Sequence, residues 1–141
     1  MNEINESLEI AKNLKEWFTE IAVKKMKRNF KKNLLHIKEN GKVIGFLNYK
    51  KNKKSIVILW MGCKRDCQRK GIGSKLIQEL ERFANSKSIK TIKVETLTDE
   101  DSYEPYKLTR NFYYKNGFKK KFIKKAKKKG YDDLLVMEKK L

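Results

Sequence analysis

Apolar residues fall at helical spacing early in the chain. Leu8, Ala11, Leu14, Trp17 and Phe18 share one face of an amphipathic helix. Ser7 stands just before that face and offers an N-cap oxygen. A second helical stretch runs from Ile21 to Lys31, with Ile21, Val23, Met26 and Phe30 as its apolar members. The period then changes. Leu34 to Lys38 and Val43 to Tyr49 are β-prone runs joined by Asn40-Gly41, a strong hairpin signal. Lys50 to Lys54 reads as the next turn. Ile56 to Met61 is almost continuously apolar, the pattern of a central strand buried on both faces.

A basic, glycine-containing loop follows, then a helix from about Gly73 to Asn85 with Ile72, Leu76, Leu80 and Phe83 at helical spacing. Thr91 to Leu97 is another strand. Pro105, the only proline, sits where a helix can start. That helix ends at Asn116-Gly117, because glycine readily takes the left-handed conformation of a helix C-terminus. Phe118 to Ile123 and Leu134 to Met137 are the last strands. The order α-α-β-β-β-α-β-α-β-β predicts an α/β (α+β) chain with a mixed sheet and helices on its faces. With no repeat and no Pro/Ser-rich linker, residues 1–141 read as a single domain.

Composition narrows the partners. Hydrophobic residues make up 39% of the 141, enough for a packed interior despite a net charge of +19. That charge fits binding to nucleic acid or an anionic membrane, attraction of a polyanionic small molecule, or a Lys-rich surface with no dedicated partner. Basic clusters such as Lys24-Lys25, Lys119-Lys120-Lys121 and Lys124 to Lys129 are spread along the chain. A nucleic-acid face is usually more concentrated. Cys63 and Cys67 are too few for a disulfide framework and lack Cys-x-x-Cys spacing. The single histidine, His36, has no partner nearby, so no metal is expected. No apolar run approaches the roughly 20 residues that cross a bilayer, and the charged opening residues do not read as a secretory signal. A cytoplasmic protein without membrane partners is the expectation.

The chemistry concentrates after the central strand. There Gln68-Arg69-Lys70-Gly71-Ile72-Gly73 leads into a helix. Unpaired N–H groups at a helix start carry partial positive charge, glycines let an anion approach them, and Arg69 and Lys70 add full charge. This is an anion cradle. A Walker loop is excluded, because Gly73 is followed by Ser74-Lys75 in the wrong order. The dinucleotide fingerprint fails as well, since Leu76 stands where its third glycine belongs. The pattern Gln-x-x-Gly-x-Gly does fit, and it resembles the pyrophosphate loop of the GNAT acyltransferases. Downstream, Thr109-Arg110-Asn111-Phe112-Tyr113-Tyr114-Lys115-Asn116-Gly117-Phe118 resembles the late helix of that family. One helix and one strand separate the two motifs, as in the family.

This resemblance implies a mostly antiparallel sheet in which two central strands splay apart to admit acetyl-CoA. The strands here would be those ending at Cys63 and near Leu97. Backbone groups of Met61, Gly62 and Cys63 would pair with the pantetheine arm and polarise the thioester carbonyl. Gln68, Arg69, Lys70, Gly71, Ile72, Gly73 and Ser74 would hold the pyrophosphate, and Thr109 and Phe112 would pack along the pantetheine. Tyr113 matches the family's general acid toward the departing thiolate. Tyr106 stands where relatives often carry Asn. Many relatives place a glutamate on the central strand as general base. Ser55 to Met61 contains none, which leaves Glu95 on the next strand as a weak catalytic candidate. The implied function is transfer of an acetyl group from acetyl-CoA to a primary amine, directly and without a covalent enzyme intermediate.

Two rival readings remain at this level: a basic nucleic-acid-binding module, whose aromatics would then lie beside the lysines, and an acyl-CoA sensor without turnover. The acceptor amine stays open, as does the choice between monomer and homodimer. An acidic cluster, Asp99-Glu100-Asp101 with Glu104, could draw a cationic amine toward the site.

Overall fold

The computed structural model describes residues 2–141. Its helices are α1 (Glu3–Asn13), α2 (Glu20–Asn29), α3 (Ile72–Ser86) and α4 (Glu104–Lys115). Its strands are β1 (Leu34–Glu39), β2 (Lys42–Lys51), β3 (Ser55–Cys63), β4 (Thr91–Leu97), β5 (Lys119–Lys124) and β6 (Leu134–Lys140). They form one sheet in the order β1-β2-β3-β4-β6-β5. Every neighbouring pair is antiparallel except β3–β4. This is the mixed α+β sheet that the element order predicts, mostly antiparallel as the resemblance implies.

Two apolar clusters hold the layers together. In one, Leu8, Ala11, Leu14, Met26 and Phe30 from the α1–α2 region close over Val43 and Phe46 of β2. In the other, Leu76, Ile77 and Leu80 of α3 bury Leu47, Ile56, Ile58, Ile92 and Met137 from four strands. The β1–β2 turn is the expected tight one, with positive φ at Asn40 (+52°) and Gly41 (+78°).

The first helix departs from its pattern at both ends. Asn2, not Ser7, is the N-cap, accepting from the Asn5 N–H at 2.9 Å; Ser7 lies buried within the helix. Ile4 extends the apolar period one turn earlier and packs against the same cluster. At the other end the helix stops at Asn13. The N–H groups of Trp17 and Phe18 both turn back to the carbonyl of Leu14, so these aromatics sit on a loop. Ile21 is also not a core residue. It is 70% exposed, because Thr19 caps α2 and sets the helix so that Val23 and Met26 face inward. Phe122 and Tyr131 stand exposed beside the lysines of the β5–β6 hairpin.

The feature that opens the sheet lies in β3. Asn48 of β2 faces Trp60 while Tyr49 faces Ile58, so Leu59 is an extra residue in β3. Such a bulge bends and twists its strand. Parallel pairing with β4 runs from Ser55↔Thr91 to Ile58↔Val94 and stops there, one residue before the bulge. β3 nevertheless continues to Cys63 and β4 to Leu97. The strands therefore part, and Leu59 to Cys63 keep β2 on one side and no strand on the other. β3 is central in the sheet, but only Ser55, Ile56 and Ile58 are buried; its splayed half is half-exposed.

Candidate active site

A groove of about 430 Å³ opens at this splay. Its floor is the free edge of β3 at Met61, Gly62 and Cys63. One wall is the loop into α3, through Gln68, Arg69, Gly71, Ile72, Gly73 and Ser74. The other is α4, through Leu108, Thr109, Phe112 and Tyr113. Of the residues assigned from sequence, only Lys70 and Glu95 do not line it.

The loop is built for close approach. Arg69 and Gly71 both have positive φ, +65° and +79°, so the chain turns sharply before α3. Left-handed backbone is free of strain for Gly71 and unfavourable for Arg69. Gly71 occupies the N-cap position and offers no side-chain cap, and the first turn of α3 holds no acidic residue. The helix's first N–H groups and its positive dipole end are thus directed at the groove. Gln68 reaches back to donate to the Cys63 carbonyl at 3.4 Å.

Tyr113 is buried, with 4% of its surface exposed, and lines the groove from α4. Burial pushes its phenol well above the ordinary tyrosine value, so it stays protonated. Phe112 and Phe118 flank it, each with ring centroids 5.2 Å away and edge-to-face. Cys63 is only half-buried on the groove floor, yet burial, with a smaller contribution from Cys67, raises its thiol to about 11. It is therefore a poor nucleophile.

The remaining candidates lie elsewhere. Glu95 is exposed on β4 and pairs with Lys124 at 3.3 Å. No carboxylate and no imidazole lines the groove among the described residues. Asp99 is engaged by the buried guanidinium of Arg110 at 3.3 Å and by Lys120, so it anchors α4. Glu100 and Asp101 face a separate cleft with Asp132 and Asp133. His36 is exposed on β1. Among the described residues, no cluster of His, Cys, Asp and Glu suited to a metal is present, and no helix is long and apolar enough to cross a membrane.

Sequence reasoning missed one wall. Leu14, Trp17 and Phe18 come from the loop after α1 and close the groove over the β3 edge. The Trp17 indole N–H is shared between the Pro105 carbonyl (3.0 Å) and the Thr109 hydroxyl (3.1 Å) on α4. Helical spacing had placed these aromatics on a helix face. The clue available in the sequence was polar: Thr19 is a good N-cap, so a new helix can start just after the two aromatics.

A splayed parallel pair, a glycine-bearing loop at a helix start and a buried tyrosine thus line one groove. The sequence model of the Acetyltransferase (GNAT) domain matches residues 31–120, which hold both motifs. The chain belongs to the GNAT family of acetyltransferases. No curated protein matches it in sequence.

Solved structures share the fold. A GNAT-family protein from Desulfovibrio desulfuricans superposes with a TM-score of 0.84 at 16% identity, covering 98% of this chain and 92% of its own. The ribosomal-protein-S18-alanine N-acetyltransferase of Escherichia coli gives 0.74 at 16% identity, over 98% and 87%. A GNAT acetyltransferase from Elizabethkingia anophelis, solved with acetyl-CoA bound, gives 0.68 at 18% identity, over 84% and 82%. At such identities the likeness establishes the fold.

Proposed function

We propose that this protein transfers an acetyl group from acetyl-CoA to an amine, with the cofactor seated in the β3–β4 splay. One observation carries the reading: the groove joins an anion-binding helix start at one end to a buried phenol further along the same cavity. The N–H groups of the Gly71–Ser74 turn, with Arg69 and Lys70 near them, would hold the pyrophosphate. The free edge of Leu59–Cys63 would pair with the pantetheine amides as an added strand would. A backbone N–H on that edge would polarise the thioester carbonyl as the amine attacks it.

The carbon–sulfur bond then breaks, and the sulfur takes the electron pair. Tyr113 donates its phenolic proton to that sulfur, and its phenolate is reprotonated from solvent. An ordinary thiol is a stronger acid than this buried phenol, which works against the transfer. Desolvation in the filled groove would raise a leaving thiol as it raises the phenol, which narrows the gap. With no carboxylate or imidazole lining the groove among the described residues, the acceptor ammonium loses one proton to water before attack and the nitrogen a second one after it.

Release of free CoA thiol from acetyl-CoA across a panel of amines tests this reading. The Tyr113→Phe protein should bind acetyl-CoA about as well as the wild type and turn over roughly 10²–10⁴-fold more slowly. Equal turnover by the two proteins would remove Tyr113 from the mechanism.

A further inference from the structure

We propose that Trp17 sets the length of acyl group the site accepts, closing the groove behind an acetyl unit. This rests on the reading just given, in which the pyrophosphate lies at Gln68–Ser74.

The groove has a direction, fixed by α4. Phe112 marks the phosphate end, because a Cβ at Gly73 would lie 2.9 Å from its ring. Thr109 stands nearly one helical turn earlier, and there the Trp17 indole is bound at 3.1 Å. Thr109 and Tyr113 lie four residues apart on one face of α4, so Trp17 stands on the groove face that carries the phenol assigned to the CoA sulfur. Phe18 continues the wall. Its ring centroid is 6.4 Å from that of Trp60 and 6.3 Å from that of Phe46.

The wall is held from several elements. Arg65, just after β3, pairs with the Glu16 carboxylate and donates to the Asn13 carbonyl at 2.7 Å. The Tyr103 hydroxyl, at the start of α4, donates to the Glu16 carbonyl at 3.1 Å. The Trp17 N–H itself has two acceptors, Pro105 and Thr109. A longer acyl chain must displace an indole whose backbone is tied on both sides, and must break both of its hydrogen bonds.

Titration calorimetry of the whole protein with CoA, acetyl-CoA, butyryl-CoA and hexanoyl-CoA tests the proposal. Wild type should bind hexanoyl-CoA at least about tenfold more weakly than acetyl-CoA, a discrimination within reach of a pocket that excludes several methylenes. Trp17→Ala should bring the two within about threefold, each affinity being read relative to that of CoA for the same protein. Trp17→Phe, which keeps the bulk, should retain most of the preference, and Trp17→Leu should fall between; these two also serve if the alanine protein does not fold. Equal length preference in wild type and in whichever smaller variant folds would overturn the proposal, as would a wild type that binds all lengths alike. If CoA and acetyl-CoA bind to no variant, the cofactor reading itself falls, and this inference with it; binding of CoA without the length effect overturns the inference alone.

Discussion

Gly73 at the start of α3 and Phe112 on α4 touch so closely that a Cβ on Gly73 would stand 2.9 Å from the Phe112 ring. The phosphate-type loop and the late helix are thereby packed into one structure. The contact explains why the loop needs glycine here, in the first turn of a helix where alanine would otherwise be favoured. Gly73→Ala should destabilise the fold by about 1–2 kcal/mol through overpacking. Phe112→Leu should recover part of that loss in the double variant, which urea unfolding would read as a coupling energy.

Gly71 differs in kind. A Cβ there meets nothing within 4 Å, but its φ is +79°. Gly71→Asn should be tolerated, since asparagine accepts left-handed backbone. Gly71→Val should cost about 1–2 kcal/mol by the same conformational penalty. It should also obstruct the anion cradle, visible as weakened acetyl-CoA affinity beyond that of the asparagine variant.

Arg110 is buried at 4% exposure and has a single carboxylate partner, Asp99. It also donates to the carbonyls of Leu97 (3.3 Å) and Asp101 (2.8 Å), tying α4 to the end of β4. Asp99→Asn should lower unfolding stability by about 1–2 kcal/mol, less than the full cost of orphaning a buried charge because Asp99 itself is 45% exposed to water. Glu95→Gln breaks only a surface pair with Lys124, and urea unfolding should show a change within about 0.5 kcal/mol.

Two pH effects follow from the burial of Cys63 and Tyr113. The Cys63 thiol is raised from 9.0 to about 11, so below 9 it is neutral in both folded and unfolded chains. Above 9 the unfolded thiol ionises first, and stability should decline from there through about 11. Iodoacetamide should label native Cys63 slowly at pH 8. Tyr113 is raised in the same sense and stays a proton donor across the neutral range. With no titrating base in the groove, the rate should climb with pH as the acceptor's own ammonium ionises, and a bell with an acidic limb near a carboxylate pKa would contradict this.

Much of the architecture was legible because it is local. The 3.6-residue and 2-residue periods gave every helix and strand in order, and Asn40-Gly41 and Asn116-Gly117 marked turns by backbone chemistry. The splay could be read only through resemblance. Its physical cause, one extra residue at Leu59, depends on register with β2, which no single strand encodes. The wall at Leu14, Trp17 and Phe18 was hidden for the same reason. It is defined by hydrogen bonds from Trp17 to residues 88 and 92 positions away. Glu95 drew notice by its place on a strand next to the splay. Strand alternation settles its fate: Val94 points into the core and Glu95 to the exposed side.

Thermal unfolding of the wild-type protein with increasing acetyl-CoA tests the cofactor groove most directly. Binding to the folded state alone raises stability with ligand, by about 2.7 kcal/mol at a hundredfold excess over Kd. Tm should rise steadily with acetyl-CoA, and the rise should shrink sharply in Gly71→Val. A wild-type Tm that does not move at millimolar acetyl-CoA would contradict a cofactor site in the β3–β4 splay.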